Sequence, residues 1–126
     1  METQAYWDLL INKSACRFFL LASLAGGPMH GYQLGKAVET ATGACCTPSA
    51  AMIYPAIREL MEGGFITCES ERVGGRERKV CALTPKGMEA YRTAARSWQR
   101  IMPYLQRAVD EAFVGVGDAP MDACCT

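Results

Sequence analysis

At 126 residues, half of them apolar, the chain is long enough for one packed domain and too short for two. Its 13 basic and 13 acidic residues cancel, so any affinity for a polyanion must come from local clustering and not from overall charge. Seven cysteines, behind a start at Met1-Glu2 that carries no basic leader, point to free thiols in a reducing cytoplasm and away from a disulfide scaffold.

Residues 4 to 25 read as a helix, with Leu9, Leu10, Cys16, Phe19, Leu20 and Leu24 available for an inner face. Its apolar run from Phe18 to Ala25 is far too short to span a membrane. Gly26-Gly27-Pro28 ends it, because glycine accepts a left-handed cap and proline cannot continue the turn. His30 begins a second helix to about residue 41, with Tyr32, Leu34 and Val38 as apolar positions, and Gly43 closes it. A loop, Ala44-Cys45-Cys46-Thr47-Pro48, leads to Ser49, an N-cap residue by type. From 50 to 62, Ile53, Ala56, Ile57, Leu60 and Met61 form an inner stripe at helical spacing. Ser49, Tyr54, Arg58 and Glu62 lie on the outer face. Pro55 bends this helix or marks a tight start, and Gly63-Gly64 stops it.

Two strands follow, about 65 to 72 and 77 to 83. With Gly74-Gly75 as a two-residue turn, Ile66 faces Leu83 and Cys68 faces Cys81 on one inward side. The facing cysteines read as a buried pair that oxidation could crosslink, stiffening the hairpin. Arg72, Arg76, Arg78 and Lys79 make the hairpin locally basic, with Glu77 set among them. Thr84-Pro85 then opens a long helix in which Met88, Tyr91, Ala95, Trp98, Met102, Leu105, Val109 and Ala112 recur at threes and fours. Such a seam on a helix hanging off a small domain is expected to meet a second subunit. Pro103 lies off the seam.

The expected fold is mainly α with a small β-hairpin wing: a winged helix-turn-helix flanked by an N-terminal and a C-terminal helix. Residues 1–84 form the DNA-binding part, 85–114 the C-terminal helix and 115–126 a flexible tail. One helix of this arrangement enters a DNA major groove and the cationic hairpin lies beside it. The DNA-contacting candidates are Ser49, Tyr54 and Arg58 on the helix, with Arg72, Arg76, Arg78 and Lys79 on the wing. No enzyme is expected: there is no nucleophile–histidine pairing, no phosphate loop and no paired carboxylates on one face.

In Leu20-Leu21-Ala22-Ser23-Leu24, Gly27-Pro28-Met29-His30-Gly31-Tyr32, Ile53-Tyr54-Pro55-Ala56-Ile57-Arg58-Glu59-Leu60 and Gly63-Gly64-Phe65-Ile66, the chain resembles the PadR family of bacterial winged-helix repressors. Gly75-Arg76-Glu77-Arg78-Lys79 and Leu83-Thr84-Pro85-Lys86-Gly87 complete a resemblance that covers roughly residues 15 to 105. It implies a homodimer built by the terminal helices, which binds a palindromic operator in double-stranded DNA and leaves it when an effector arrives. It also implies Tyr54 and Arg58 on the recognition helix and Arg76, Arg78 and Lys79 on the wing. The chain departs from the family at Ala50-Ala51-Met52, where Pro-Gly-Thr is usual, and at Glu77, where proline is usual.

The cysteines lie partly outside that pattern. Cys16 reads as an inert core thiol. The adjacent pairs Cys45-Cys46 and Cys124-Cys125 fall in a loop and a polar tail, where thiols are an oxidation hazard unless used. Thiolate-only ligation selects soft ions, and adjacent cysteines without histidine do not match the spacing of structural zinc sites. A trivalent metalloid such as arsenic or antimony fits, with mercury, cadmium or lead as alternatives; no resident cofactor is required. The expected signal is therefore a soft metal or metalloid on Cys45, Cys46, Cys124 and Cys125. The alternatives are an aromatic or hydrophobic compound in a dimer-centre cavity near Trp7, Tyr91 and Trp98, and a thiol redox sensor.

Overall fold

The computed structural model describes residues 1–43 and 50–115, with the backbone alone at residue 50. The elements run α1 (Gln4–Ala25), β1 (Met29–His30), α2 (Gly31–Ala41), α3 (Ala50–Glu62), β2 (Ile66–Val73), β3 (Arg76–Leu83) and α4 (Pro85–Ala112). The Thr3 hydroxyl accepts from the Tyr6 N–H at 3.3 Å to start α1. His30 starts α2 through a capping box with Gln33. At the end of α3, Gly64 turns left-handed (φ +77°) and the Phe65 N–H reaches back to the Leu60 carbonyl at 2.9 Å. Pro55 sits inside α3 without ending it.

One apolar cluster holds these elements together. Leu20, Leu24, Leu34, Val38, Ile53, Ile57, Leu60, Ile66 and Cys81 are all buried in it, from α1, α2, α3 and the sheet. Leu34 and Val38 lie one turn apart on α2 and are fully enclosed. α2 approaches α3 closely at Gly35, where a Cβ would come within 3.3 Å of Ile53 Cδ1.

The sheet has three antiparallel strands in the order β1-β3-β2. Ile66 faces Leu83 and Cys68 faces Cys81, the register that a turn at Gly74-Gly75 dictates. Both turn glycines have positive φ, +60° and +79°, as a primed two-residue hairpin demands. β1 is the element that sequence patterning does not give: two residues are too few to show a period. It pairs Met29 with Cys81 and His30 with Val80.

One open reading is decided and one expectation is corrected. Cys68 and Cys81, read as a pair that oxidation could crosslink, are joined by a disulfide with their Cα atoms 4.0 Å apart. Leu9 and Leu10 are 48% and 42% exposed, not inward; the buried positions of α1 are Ala15, Cys16, Leu20, Leu21 and Leu24. Among the described residues, nothing covers these positions in the first turns of α1. Met61 and Tyr32 are likewise exposed. The outer half of α4 behaves as α1 does at its start. Ala90 and Tyr91 pack on the core, while every residue from 99 to 115 is exposed, including Ile101, Met102, Leu105 and Val109. No helix among the described residues is long and apolar enough to cross a membrane.

A knot of polar contacts joins α3, the hairpin and α4. Thr84 caps α4 by accepting from the Gly87 N–H at 3.0 Å. Its hydroxyl donates to the carbonyls of Gly64 and Phe65, at 2.8 and 3.0 Å, and its own N–H donates to the Phe65 carbonyl. Lys86 Nζ donates to the Gly63 carbonyl at 2.7 Å and lies over the Phe65 ring. Gly87 is pressed so closely on Phe65 that a Cβ there would overlap the backbone carbonyl. Gly87→Ala should therefore cost about 3 kcal/mol, the upper range for overpacking, read as a lowered urea midpoint at unchanged m-value. A midpoint equal to that of the parent protein would show that the junction is looser than described.

Candidate nucleic-acid interface

The outer face of α3 follows from its inner one. With Ile53, Ala56, Ile57 and Leu60 buried, the intervening positions Ala51, Tyr54, Pro55 and Arg58 face solvent. Tyr54 is 56% exposed and its ring lies beside Gly31 at the start of α2, a contact between two motifs that sequence reading treats separately. Glu59, also on the exposed side, is ion-paired with Arg17 of α1. That contact offsets one negative charge on the helix beside Arg58.

The wing is less uniformly basic than its sequence suggests. Three glutamates, Glu69, Glu71 and Glu77, stand among its four cations, and the register shows where. Arg72 faces Glu77 and Arg78 faces Glu71, each pair on one side of the ribbon. Lys79 faces Ser70 and Arg76 faces Val73, so these two cations have no acid directly opposite. Alternation puts Arg72 and Lys79 on the disulfide side of the hairpin and Arg76 and Arg78 on the other. All four are exposed.

Arg78 reaches back to β1, its guanidinium 3.2 Å from His30 Nε2. His30 Nδ1 also accepts from the Gln33 N–H at 3.4 Å as the cap of α2. A neutral imidazole accepts at one nitrogen only, so the cap and the Arg78 bond are alternatives.

Between α3 and the wing lies a cleft of about 680 Å³. Tyr54, Ile57, Arg58 and Met61 line its helix side, Cys68, Cys81, Glu77, Arg78 and Lys79 its wing side, and His30, Gly31 and Tyr32 its end. Tyr54, Arg58, Arg78 and Lys79 therefore border one concave surface. Arg72 and Arg76 are not among its lining residues, and Ser49 lies outside the described residues.

A helix presenting Tyr54 and Arg58, with a two-stranded ribbon beside it, is the shape that the comparisons with known proteins recover. Residues 20–93 match the model of the transcriptional regulator PadR-like family. The chain belongs to that family. The family is one of transcriptional regulators. The chain is 38% identical over 73 residues to the transcriptional regulator YqjI of Escherichia coli strain K12, a match covering 58% of this chain and 34% of that one. It is 33% identical over 85 residues to an uncharacterised 37.1 kDa protein in a Streptomyces fradiae transposon, covering 68% and 23%. The regulator thus spans about a third or less of the curated relatives it matches.

Solved structures agree on the fold. A transcriptional regulator from Clostridium thermocellum superposes with a TM-score of 0.71 at 18% identity, over 77% of this chain and 95% of that one. Bacillus subtilis PadR, solved in complex with operator DNA, gives 0.58 at 25% identity, over 64% and 46%.

The remaining candidates divide. Tyr91 and Trp98 of α4 both pack on Phe18 of α1, with ring centroids 5.7 and 5.9 Å apart. Trp7 lies elsewhere, stacked edge-on to Tyr6 and donating to the Met1 carbonyl. Cys16 is buried. Cys45, Cys46, Cys124 and Cys125 lie outside the described residues. Among the described residues no group of three or more His, Cys, Asp or Glu side chains is placed to hold a metal ion.

Proposed function

We propose that the regulator is a cytoplasmic repressor that binds double-stranded operator DNA as a homodimer. The observation that carries this reading is the shared concave surface of α3 and the wing, on which Tyr54, Arg58, Arg78 and Lys79 converge. In the proposed complex, α3 enters the major groove and Arg58, the arginine on its exposed face, reads base edges, guanine being the usual partner for its paired donors. Ser49 and Tyr54 extend that contact along the helix. Arg72, Arg76, Arg78 and Lys79 meet phosphates, which position the protein without specifying sequence. That a PadR structure was solved on operator DNA supports this assignment.

The apolar faces left open in one chain support the dimer. Trp7, Leu9, Leu10 and Ile11 on α1 and Ile101, Met102, Leu105 and Val109 on α4 are all exposed, and exposed apolar faces of this kind mark interaction surfaces. A second copy covering them would set the two recognition helices at a fixed spacing, as a palindromic operator requires.

For the signal, the proposal is a soft metal ion or trivalent metalloid of the arsenic or antimony type. Cys45 and Cys46 would capture it, with a third thiolate from Cys124 or Cys125 of the same or the partner subunit. Its support is chemical: adjacent thiols with no histidine favour thiophilic ions. Its leverage is positional, since the segment carrying Cys45 and Cys46 leads directly into α3. Moving a dimer from almost wholly bound to almost wholly released takes about 5 kcal/mol of preference for the free form. Thiolate sites of the structural zinc type reach about 10 kcal/mol or more.

Arg58→Ala should weaken promoter binding by about tenfold and relax its sequence preference. Lys79→Ala should weaken binding to all sequences alike and lower the salt slope by about 0.9. Glu77→Gln should tighten binding, most at low salt. Fluorescence anisotropy across a salt series measures all three, and variants that bind like the parent protein would remove this surface from the interface. In the same assay, Cys45→Ser and Cys46→Ser should keep DNA affinity and lose release by arsenite, antimonite or mercuric ion. Loss of DNA binding in both would assign those cysteines to the fold instead.

A further inference from the structure

The Cys68–Cys81 disulfide sits at a place where chemistry can reach it from one side only. Cys81 is 3% exposed, at the centre of the sheet between Met29 and Cys68. Cys68 is half-buried and, with Cys81, lines the cleft between α3 and the wing. The other occupants of that wall are informative: Arg58, Arg78 and Lys79 border the cleft, against the single carboxylate of Glu77. A reagent entering it would meet a cationic rim and a sulfur floor. The cleft volume, about 680 Å³, suits a small peptide-sized molecule.

We infer that Cys68 and Cys81 form a thiol–disulfide exchange site for low-molecular-weight disulfides that carry carboxylates, and that exchange there sets the affinity of the wing for DNA. This inference rests on the operator-binding reading but not on any assignment of the metal signal. In the forward direction the Cys68 thiolate attacks one sulfur of the incoming disulfide, RS–SR. One RS⁻ leaves, and Cys68–S–SR remains. The Cys81 thiolate then attacks Cys68 Sγ and expels the second RS⁻. The two protein thiols lose two electrons and two protons, and RS–SR becomes two RSH. The order follows exposure, with Cys68 as the attacking residue and Cys81 as the resolving one.

Two features connect the bond to DNA affinity. Cys81 belongs to the buried core, whereas every residue from 69 to 79 is exposed, so the disulfide is the crosslink between strands at the point where the ribbon bearing Arg72, Arg76, Arg78 and Lys79 leaves the core. Reduction also forces the two sulfurs out of bonding distance, and the opposed backbones at 68 and 81 must separate or their side chains must turn. The oxidised wing is preorganised against α3 and the reduced wing is not.

The test uses the full chain with Cys45, Cys46, Cys124 and Cys125 replaced by serine, so that only the wing pair and buried Cys16 remain. The protein is reduced, desalted and treated with oxidised glutathione, with peptide mass spectrometry and promoter anisotropy followed together. The expected result is a transient glutathione adduct on Cys68, its conversion to the Cys68–Cys81 disulfide, and affinity at least about fivefold higher than in the reduced protein. Cys68→Ser and Cys68→Ala should each abolish the response while leaving the fold intact. Failure of the pair to oxidise, a first adduct on Cys81, or equal affinity in the two states would overturn the inference. Absence of DNA binding in both states would instead sink the operator reading on which the coupling rests, and the mass readout would still decide the exchange chemistry.

Discussion

The structure turns on the junction at Thr84. One hydroxyl and one amide there tie the end of α3, the first residue after its cap and the end of the hairpin to the start of α4, and Gly87 lets the last helix press onto the Phe65 backbone. Both strands of the wing leave and return within this knot, one residue beyond the stop of α3. The recognition helix and the wing are therefore joined at a common base. That base is rigid because its polar groups satisfy one another, and no buried side-chain nitrogen or oxygen among the described residues lacks a partner.

From that base outward, order gives way to exposure in two directions. The wing projects as a ribbon whose inner sulfurs are its last anchored atoms. The terminal parts of α1 and α4 carry apolar faces that no other element among the described residues covers. The first projection suits a polyanion and the second a copy of the same surface. Between them the core of Leu20, Leu34, Val38, Ile53, Ile57 and Ile66 does the ordinary task of holding three helices on a small sheet.

Much of this was legible in the residues. All four helices follow from glycine and proline punctuation and from apolar spacing, and the hairpin register follows from Gly74-Gly75, which must carry positive φ. Less could be read where a partner outside the local pattern decides. β1 is two residues long and exists because β3 offers it an edge. Leu9 and Leu10 look like core by type and are surface because no neighbour among the described residues covers them. The wing reads as basic in sequence order, but facing pairs mix Arg72 with Glu77 and Arg78 with Glu71, which only the register reveals. Of the proposed DNA contacts, Tyr54 and Arg58 were legible from the buried stripe beside them. The cleft they share with Arg78 and Lys79 needs the tertiary fold.

The most direct test of the central claim, that α3 and the wing form one nucleic-acid surface, is an NMR titration of the isotope-labelled regulator with its own promoter fragment. The account predicts shifts concentrated at Tyr54 and Arg58 and at Arg76, Arg78 and Lys79, with α4 beyond Trp98 unmoved. Shifts centred on the apolar faces of α1 and α4, with α3 and the wing unchanged, would contradict it.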